Sequence, residues 1–226
     1  MWYYLYDMKP LVCVIAHPDD EAFGPSGSLA YFATQRDVYI LCVTRGDSDA
    51  KFTKHDPNSL AARREKELLA SANILGVKEV RFLNFKDGSL CNNNYHEIAA
   101  AIQKELEAIQ PETVMTFELN GISGHLDHVA VALTTTYAAY RVPSVKTILY
   151  LRTLESQMKL ERGKYFVYTP PGFTKEDCDL VIDTAPYWEK RLEAMNAHQS
   201  QAEDIKRILT LMSGFPKEEY FRVMKK

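Results

Sequence analysis

Two short polar stretches carry the residue types that a metal-dependent hydrolase uses. The first, at 17–21, reads His-Pro-Asp-Asp-Glu, and the second, at 124–128, reads Gly-His-Leu-Asp-His. A hydrolytic zinc ion binds about three His or carboxylate side chains, keeps one position open for water and needs an acid or base nearby. The two stretches together contain all of these groups, and each of them closely follows an apolar run.

The first stretch ends the apolar run at 11–16, which has the length and the β-branched content of a strand buried on both faces. Pro18 disfavours helical backbone at His17, so we expect His17 at the carboxyl end of this strand, where open α/β sheets bind their ligands. Asp20 lies close enough to share a cation with His17, while Asp19 points elsewhere and is free to act as a base. A lone Asp after a strand is more often a helix N-cap or turn residue, but two adjacent Asp behind a His weaken that alternative.

The second stretch follows a predicted strand at 113–117 and a loop that contains glycine, and it opens a predicted helix over 125–140. The spacing of three places His125 and His128 on one side of the first helical turn. A single His there is more often a cap or a surface residue. These two fall at the same sheet edge as His17, and this coincidence favours a shared site.

The elements that must position these residues alternate between strands and helices, which predicts an α/β fold: a Rossmann-like three-layer sandwich with a mostly parallel sheet and helices on both faces. In a strand order of 3-2-1-4, the two polar stretches follow neighbouring strands and meet at the topological switch point. The length of 226 residues predicts a single domain over 1–226, with a short tail from residue 214. Further strands are predicted at 38–43, 79–83, 147–151 and 179–182, and helices at 28–35, 61–75, 95–109, 187–198 and 202–212.

Charge and composition exclude several classes of function. The net charge of −3 gives no field to hold nucleic acid or an anionic membrane, so we expect a small neutral or mildly charged substrate. No stretch approaches the roughly twenty apolar residues of a membrane span, and residues 1–8 lack the features of a signal peptide. The glycines at 24–27 and 121–124 are spaced wrongly for a dinucleotide fingerprint or a nucleophile elbow.

The four cysteines are expected to be buried, reduced thiols of a cytoplasmic protein, at positions 13, 42, 91 and 178.

The predicted helix over 61–75 carries two arginines on its first turn, where a cation opposes the helix dipole. On spacing alone we expect a solvated face for Arg63 and Arg64, with Arg63 paired to Glu67. A polar loop at 44–59 precedes this helix. A loop of that length at the carboxyl edge of a sheet usually lines a site.

The segment Ala-His-Pro-Asp-Asp-Glu at 16–21, followed by Gly-His-Leu-Asp-His at 124–128, resembles the LmbE-like, or PIG-L type, zinc-dependent N-deacetylases. Other segments extend the resemblance from about residue 9 to residue 205: Thr-Arg-Gly at 44–46, Arg-Glu-Lys-Glu-Leu at 64–68, Leu-Gly-Val at 75–77, and 190–194 leading into His-Gln-Ser-Gln at 198–201.

The resemblance assigns a role to each residue of the two stretches. It implies that Asp19 is the general base and that His125, oriented by Asp127, stabilises the oxyanion or protonates the leaving amine. An ionised Asp19 and a protonated His125 predict a bell-shaped pH dependence. Some members have a Tyr where this chain has Ser123, whose hydroxyl is too short to give the same help. The resemblance also implies one zinc ion per subunit, or another divalent metal, held by three ligands: His17, Asp20 and His128.

The implied substrate is a small amino-sugar conjugate of the N-acetylglucosamine type, with acetate as the co-product and Arg64 in contact with the substrate. For His198 two interpretations stand: a helix-end His stabilised by the dipole, or a substrate contact. The second includes a contact with a neighbouring copy's pocket, which leaves a homo-oligomer open. Two other functions also stay open: a zinc amidase acting on a larger amide of a thiol-sugar conjugate, and a non-catalytic binding protein on the same fold.

Overall fold

The computed structural model describes residues 9–48, 57–160 and 168–226, so residues 1–8 and much of the predicted loop at 44–59 lie outside the described part of the chain. The described strands form one seven-stranded sheet. They are β1 (Leu11–Ile15), β2 (Val38–Thr44), β3 (Glu79–Phe85), β4 (Thr113–Phe117), β5 (Thr147–Arg152), β6 (Leu180–Asp183) and β7 (Glu218–Lys225).

The strand order is β3-β2-β1-β4-β5-β7-β6. Neighbouring strands from β3 to β5 are parallel, and β7 runs antiparallel to both β5 and β6. The predicted 3-2-1-4 order and the mostly parallel α/β sheet are therefore confirmed. The α-helices are α1 (Asp20–Phe23), α2 (Ser26–Ala33), α3 (Pro57–Leu75), α4 (Tyr95–Ile109), α5 (Leu126–Arg141), α6 (Glu155–Met158), α7 (Trp188–Ala197) and α8 (Ala202–Met212).

The centre of the sheet is apolar on both faces, which explains the unbroken hydrophobic runs in the sequence. Every residue of β1 and of β4 is buried. Because both strands are parallel, their carboxyl ends lie side by side at one edge of the sheet. Thr44, the last residue of β2, links the ends of β2 and β1 there, since its N–H and Oγ1 both donate to the carbonyl of Ala16, at 3.0 and 2.8 Å.

The chain after residue 214 does not form the predicted tail. It forms β7, which lies between β5 and β6 and carries the buried side chains of Tyr220 and Phe221. The prediction was wrong because β7 contains charged residues throughout, so its hydrophobic pattern is weak. Its place in the sheet depends on pairing with strands distant in sequence.

The cysteines divide into two classes. Cys13 and Cys42 are buried in β1 and β2, as predicted. Cys91 is exposed and Cys178 is half-buried, so the expectation of burial was wrong for these two loop residues. None of the four forms a disulfide. Among the described residues, no helix is both long enough and apolar enough to cross a membrane.

Candidate active site

Two imidazoles and one carboxylate meet at the carboxyl ends of β1 and β4. His128 Nε2 lies 3.2 Å from Asp20 Oδ1, and His17 Nδ1 lies 3.6 Å from Asp20 Oδ2. One possible ligand atom from each residue is within 4.8 Å of the other two. Two nitrogens and one carboxylate oxygen match the donor set of a catalytic zinc site with an open position. The structure thus brings the three predicted ligands together, and their chemistry fits the expected metal.

The second nitrogen of each imidazole is also occupied. His128 Nδ1 lies 3.3 Å from the carbonyl oxygen of Gly121, and His17 Nε2 lies 3.1 Å from Asp127 Oδ2 and 3.1 Å from Asp87 Oδ1. Metal-binding histidines commonly donate their second N–H to a carbonyl or carboxylate, which fixes the tautomer and the ring orientation. The two rings are therefore held with Nδ1 of His17 and Nε2 of His128 towards Asp20.

Asp127 contacts both His17 and His125, and its predicted role of orienting His125 stays a prediction. Its carboxylate binds His17 and accepts the N–H groups of Gly88 and Leu90, at 2.8 and 3.1 Å. Burial opposes ionisation of Asp127, but these bonds lower its pKa below the ordinary value. His125 is held instead by the backbone of Asp127, whose N–H donates to Nδ1 at 3.1 Å. The Asp127 side chain therefore orients the predicted ligand His17, and its main chain contacts His125.

His125 lies beside the proposed ligands, with its ring 4.8 Å from that of His17 and 4.9 Å from that of His128. Because Nδ1 accepts a hydrogen bond, the neutral ring carries its proton on Nε2. Burial first, and then the neighbouring His128 and His17, lower the pKa of His125 to about 4. This environment opposes protonation of His125 in the free protein, while the bell-shaped pH dependence stays a prediction.

Asp19 has an unusual backbone and a charged partner. Its φ of 128° is rare for any residue other than Gly, and such strain persists only where the surroundings enforce it. Its Oδ2 accepts a hydrogen bond from Arg64 Nη2 at 2.9 Å. Burial raises the pKa of Asp19 to about 6 even though the Arg64 cation opposes the shift. A carboxyl group with that pKa is well suited to take and return a proton near neutral pH.

Arg64 does not belong to a solvated face, contrary to the expectation from spacing alone. It is buried, and besides Asp19 it donates to the carbonyl of Pro18 at 2.8 Å. Gly46, at φ 65°, makes room for it, because a Cβ there would lie 2.8 Å from the guanidinium. Arg63 is the exposed member of the pair and forms the expected bond to Glu67, at 3.0 Å.

His198 lies inside the protein rather than on the pocket wall. Its side chain is 0% exposed, and Nε2 is 2.6 Å from Glu21 Oε1. Burial of the ring lowers its pKa, but Glu21, Asp19 and Glu67 more than offset that effect and raise the value above normal. A buried ring cannot touch a substrate or a neighbouring copy, so the predicted substrate contact of His198 is wrong. His198 does lie at a helix end, as the C-cap of α7, and a carboxylate is its charge partner there.

Sequence reasoning missed Asp87 as part of the site. Asp87 follows β3, and besides His17 its carboxylate reaches Arg64 Nη1 at 3.8 Å and the N–H of Ser48 at 3.4 Å. It thus links the candidate ligand, the partner of Asp19 and the loop after β2. The available signal was its position in a Lys-Asp-Gly turn after a strand of the same parallel sheet.

A pocket of about 530 Å³ opens over these residues. Its polar floor contains His17, Asp19, Asp20, His125 and His128, and Ser123 lies on the rim with Oγ 3.4 Å from the N–H of His125. The volume lies within the roughly 300–1,000 Å³ of pockets that enclose ligands of drug size. The rest of the lining is mixed. It contains apolar side chains from α1, α6, α8 and the following loop (Phe23, Met158, Ile208, Leu211, Met212 and Phe215) and charged side chains that include Arg152, Asp204, Arg207 and Glu218.

The chain is similar to known proteins over most of its length. The PIG-L family, described as GlcNAc-PI de-N-acetylase, matches residues 12–139, which contain both polar stretches. A probable N-acetyl-alpha-D-glucosaminyl L-malate deacetylase 2 from Bacillus anthracis is 31% identical over 201 residues, with 85% of this chain and 81% of the relative aligned.

Solved structures show the same fold. An N,N'-diacetylchitobiose deacetylase from Pyrococcus horikoshii superposes with a TM-score of 0.76 at 23% identity, covering 97% of this chain and 85% of that one. A 4-carboxy-2-hydroxymuconate hydratase from Pseudomonas putida superposes with a TM-score of 0.73 at 16% identity, with 97% of each chain covered. The fold alone therefore does not select the reaction. The family match and the 31% identical relative do identify the lineage, and the chain belongs to the PIG-L family of de-N-acetylases.

Proposed function

We propose that the chain is a cytoplasmic, zinc-dependent N-deacetylase that removes the acetyl group from an N-acetylglucosamine-type conjugate and releases acetate. The observation that carries the proposal is the convergence of His17, Asp20 and His128 beside Asp19, on the floor of one pocket. Membership of the PIG-L family and the deacetylase relatives support the same reaction.

Each residue of the site has a place in amide hydrolysis. A zinc ion bound by the three ligands supplies a Lewis acid and a water of lowered pKa. Asp19 takes the proton of the attacking water and then gives it to the departing amine. His125, neutral and with its proton on Nε2, donates a hydrogen bond to the carbonyl oxygen as it becomes negative, a contribution of about 3 kcal/mol.

The assignment of the proton to Asp19 follows from the two environments. The pKa of Asp19 is about 6 and that of His125 is about 4, so at neutral pH the first is mostly an ionised base and the second mostly a neutral donor. One carboxyl group can then serve as base in the attack and as acid in the departure. His125 needs no positive charge for its part.

The pocket wall supports a neutral and partly apolar second half of the conjugate. Arg152, a cation on this wall, already donates to Glu118 at 2.5 Å, and Arg207 lies 3.5 Å from Asp204. Because these cations have carboxylate partners, they do not favour an added acidic group. Ile208, Leu211 and their neighbours on α8 offer the apolar surface instead.

The test is acetate release by the zinc-loaded protein from a panel of N-acetylglucosamine glycosides that differ in the second half. We expect turnover, its loss on chelation, and its return with added zinc. The variant Asp19→Asn should keep the metal and lose most turnover, because an amide cannot accept the proton. No acetate from any N-acetylated amino sugar would reject the deacetylase, and amine release from a larger amide in the same assay would indicate the amidase.

A further inference from the structure

Beneath Asp19 lies a buried polar network that the proposed reaction does not use directly. Its centre is Glu21, whose side chain is 0% exposed. Glu21 Oε1 accepts a hydrogen bond from Ser71 Oγ at 2.6 Å and lies 2.6 Å from His198 Nε2, while Oε2 accepts the backbone N–H of Asp19 at 3.1 Å. Three parts of the chain meet here: α1, α3 and the junction between α7 and α8.

The contact with Asp19 lies at the strained point of the backbone. Asp19 has φ 128° and ψ −25°, outside the regions that ordinary residues prefer, and its N–H is the group that Glu21 binds. Strain of this kind persists only where the surroundings over-determine the conformation, and it is concentrated at active sites. Glu21 is therefore placed to hold the backbone from which the Asp19 carboxylate projects towards Arg64.

A plain packing role does not explain the residue types. A buried carboxylate is costly unless it is paired and hydrogen-bonded, and an apolar side chain of similar volume would fill the space more cheaply. Ser71 and His198 satisfy one oxygen of Glu21 and leave the other for Asp19. The arrangement therefore leaves Glu21 Oε2 free to accept the backbone N–H of Asp19, the proposed base.

We propose that Glu21, supported by Ser71 and His198, is a positioning residue that holds Asp19 in its strained conformation for proton transfer. The proposal rests on the proposed function, because the proton transfer it serves is that of deacetylation. Glu21 itself touches neither the substrate nor the reacting atoms. Its contribution passes through the main chain of Asp19.

The first measurement does not depend on activity. Amide hydrogen exchange at Asp19, followed by NMR, should be slow in the wild type and at least tenfold faster in Glu21→Leu, which removes the acceptor. Glu21→Gln keeps an oxygen for this N–H and should preserve most of the protection. If Glu21→Leu does not fold, Ser71→Ala, which removes one support of Glu21, should show a smaller acceleration. Unchanged exchange in the folded variants would overturn the proposal.

The second measurement is a double-mutant cycle on kcat. We expect Glu21→Leu to lower kcat about 100-fold with bound zinc and KM nearly unchanged, as for a misplaced catalytic group, and Glu21→Gln to recover much of the loss. In the Asp19→Asn background the same change should have little further effect, because the group being positioned is already lost. An equal loss in both backgrounds would show a general structural role and overturn the proposal.

Leu106→Ala is the stability control. Leu106 is fully buried on α4 and does not line the pocket. Its truncation should lower the melting temperature without lowering kcat. A wild type that releases no acetate would reject the proposed function, whereas an active wild type with fully active Glu21→Leu would reject only the positioning role.

Discussion

The replacement of Arg64 by Met tests how the pKa of the proposed base is set. Arg64 Nη2 lies 2.9 Å from Asp19 Oδ2, and both side chains are nearly enclosed by protein. Burial raises the pKa of Asp19 and Arg64 lowers it, with a net value of about 6. Met keeps the length of the Arg side chain and removes the charge. The carboxylate then loses its stabilising partner, so its pKa must rise further.

The size of the change follows from the distance. An opposite charge at about 4 Å contributes about 4 kcal/mol at an effective dielectric constant near 20, and measured effects of such partners are about 1–3 pKa units. The acid limb of kcat/KM should therefore move from near pH 6 to about pH 7–9 in Arg64→Met. At pH 7 a shift of 2 units lowers activity about tenfold, and raising the pH restores it. A bound metal lowers the pKa in both proteins, so the difference between them is the quantity to compare.

The assay is the pH profile of kcat/KM for the wild type, Arg64→Met and Arg63→Met, with zinc content measured in each. Arg63 is the neighbouring arginine and is paired with Glu67 on the surface, so its replacement should leave the profile unchanged. A loss in Arg64→Met by the same factor at every pH would refute the reasoning. That result would show that Arg64 acts on the substrate, as the family resemblance implies, and not on the pKa of Asp19.

Further predictions concern the metal and the outer pocket. Asp20→Ala and His128→Ala should each lose bound zinc in metal analysis, since each removes one of three ligands, while retention of zinc would reject that assignment. Asp127→Asn should weaken zinc affinity about 10- to 100-fold in a competition titration, because it loosens the hold on His17; a loss of turnover with unchanged affinity would point to His125 instead. Leu211→Asp should lower kcat/KM about tenfold for long-chain alkyl N-acetylglucosaminides and leave the methyl glycoside unaffected, and an equal effect on both would reject the apolar subsite.

Much of the fold could be predicted from the sequence because the central strands are marked by a local pattern of apolar residues. The apolar runs that become β1 and β4 end at polar stretches, and the right-handed connection of parallel strands limits the order in which they can lie. The convergence of His17, Asp20 and His128 follows, since the ends of adjacent parallel strands meet at one edge of the sheet. β7 could not be predicted in this way, because its antiparallel position is determined by pairing with β5 and β6, which are distant in sequence.

The details of the site depended on contacts that no local spacing encodes. Asp127 was expected to act on its neighbour His125, which its N–H does contact. The fold also places its carboxylate against His17, 110 residues away, and against the loop that follows β3. His198 lies at a helix end, as one of its two interpretations expected, but packing of α7 on α3 also buries it against Glu21 and away from the pocket. In both cases the residue type indicated a polar, functional position. The residue that each side chain contacts was determined by the tertiary structure.

The residues around Asp19 and His125 determine which of the two carries a proton. Sequence resemblance suggested a base and a separate protonated acid, which requires two groups with opposite charge at the same pH. Burial first, and then the neighbouring imidazoles of His128 and His17, disfavour a positive charge on His125, whose Nδ1 already accepts a backbone N–H. The structure buries Asp19 against one cation, which brings its pKa near neutrality. We therefore propose that the proton taken from water stays on Asp19 and is returned from it. Two groups hold Asp19 for this step: Arg64 at its carboxylate and Glu21 at its N–H.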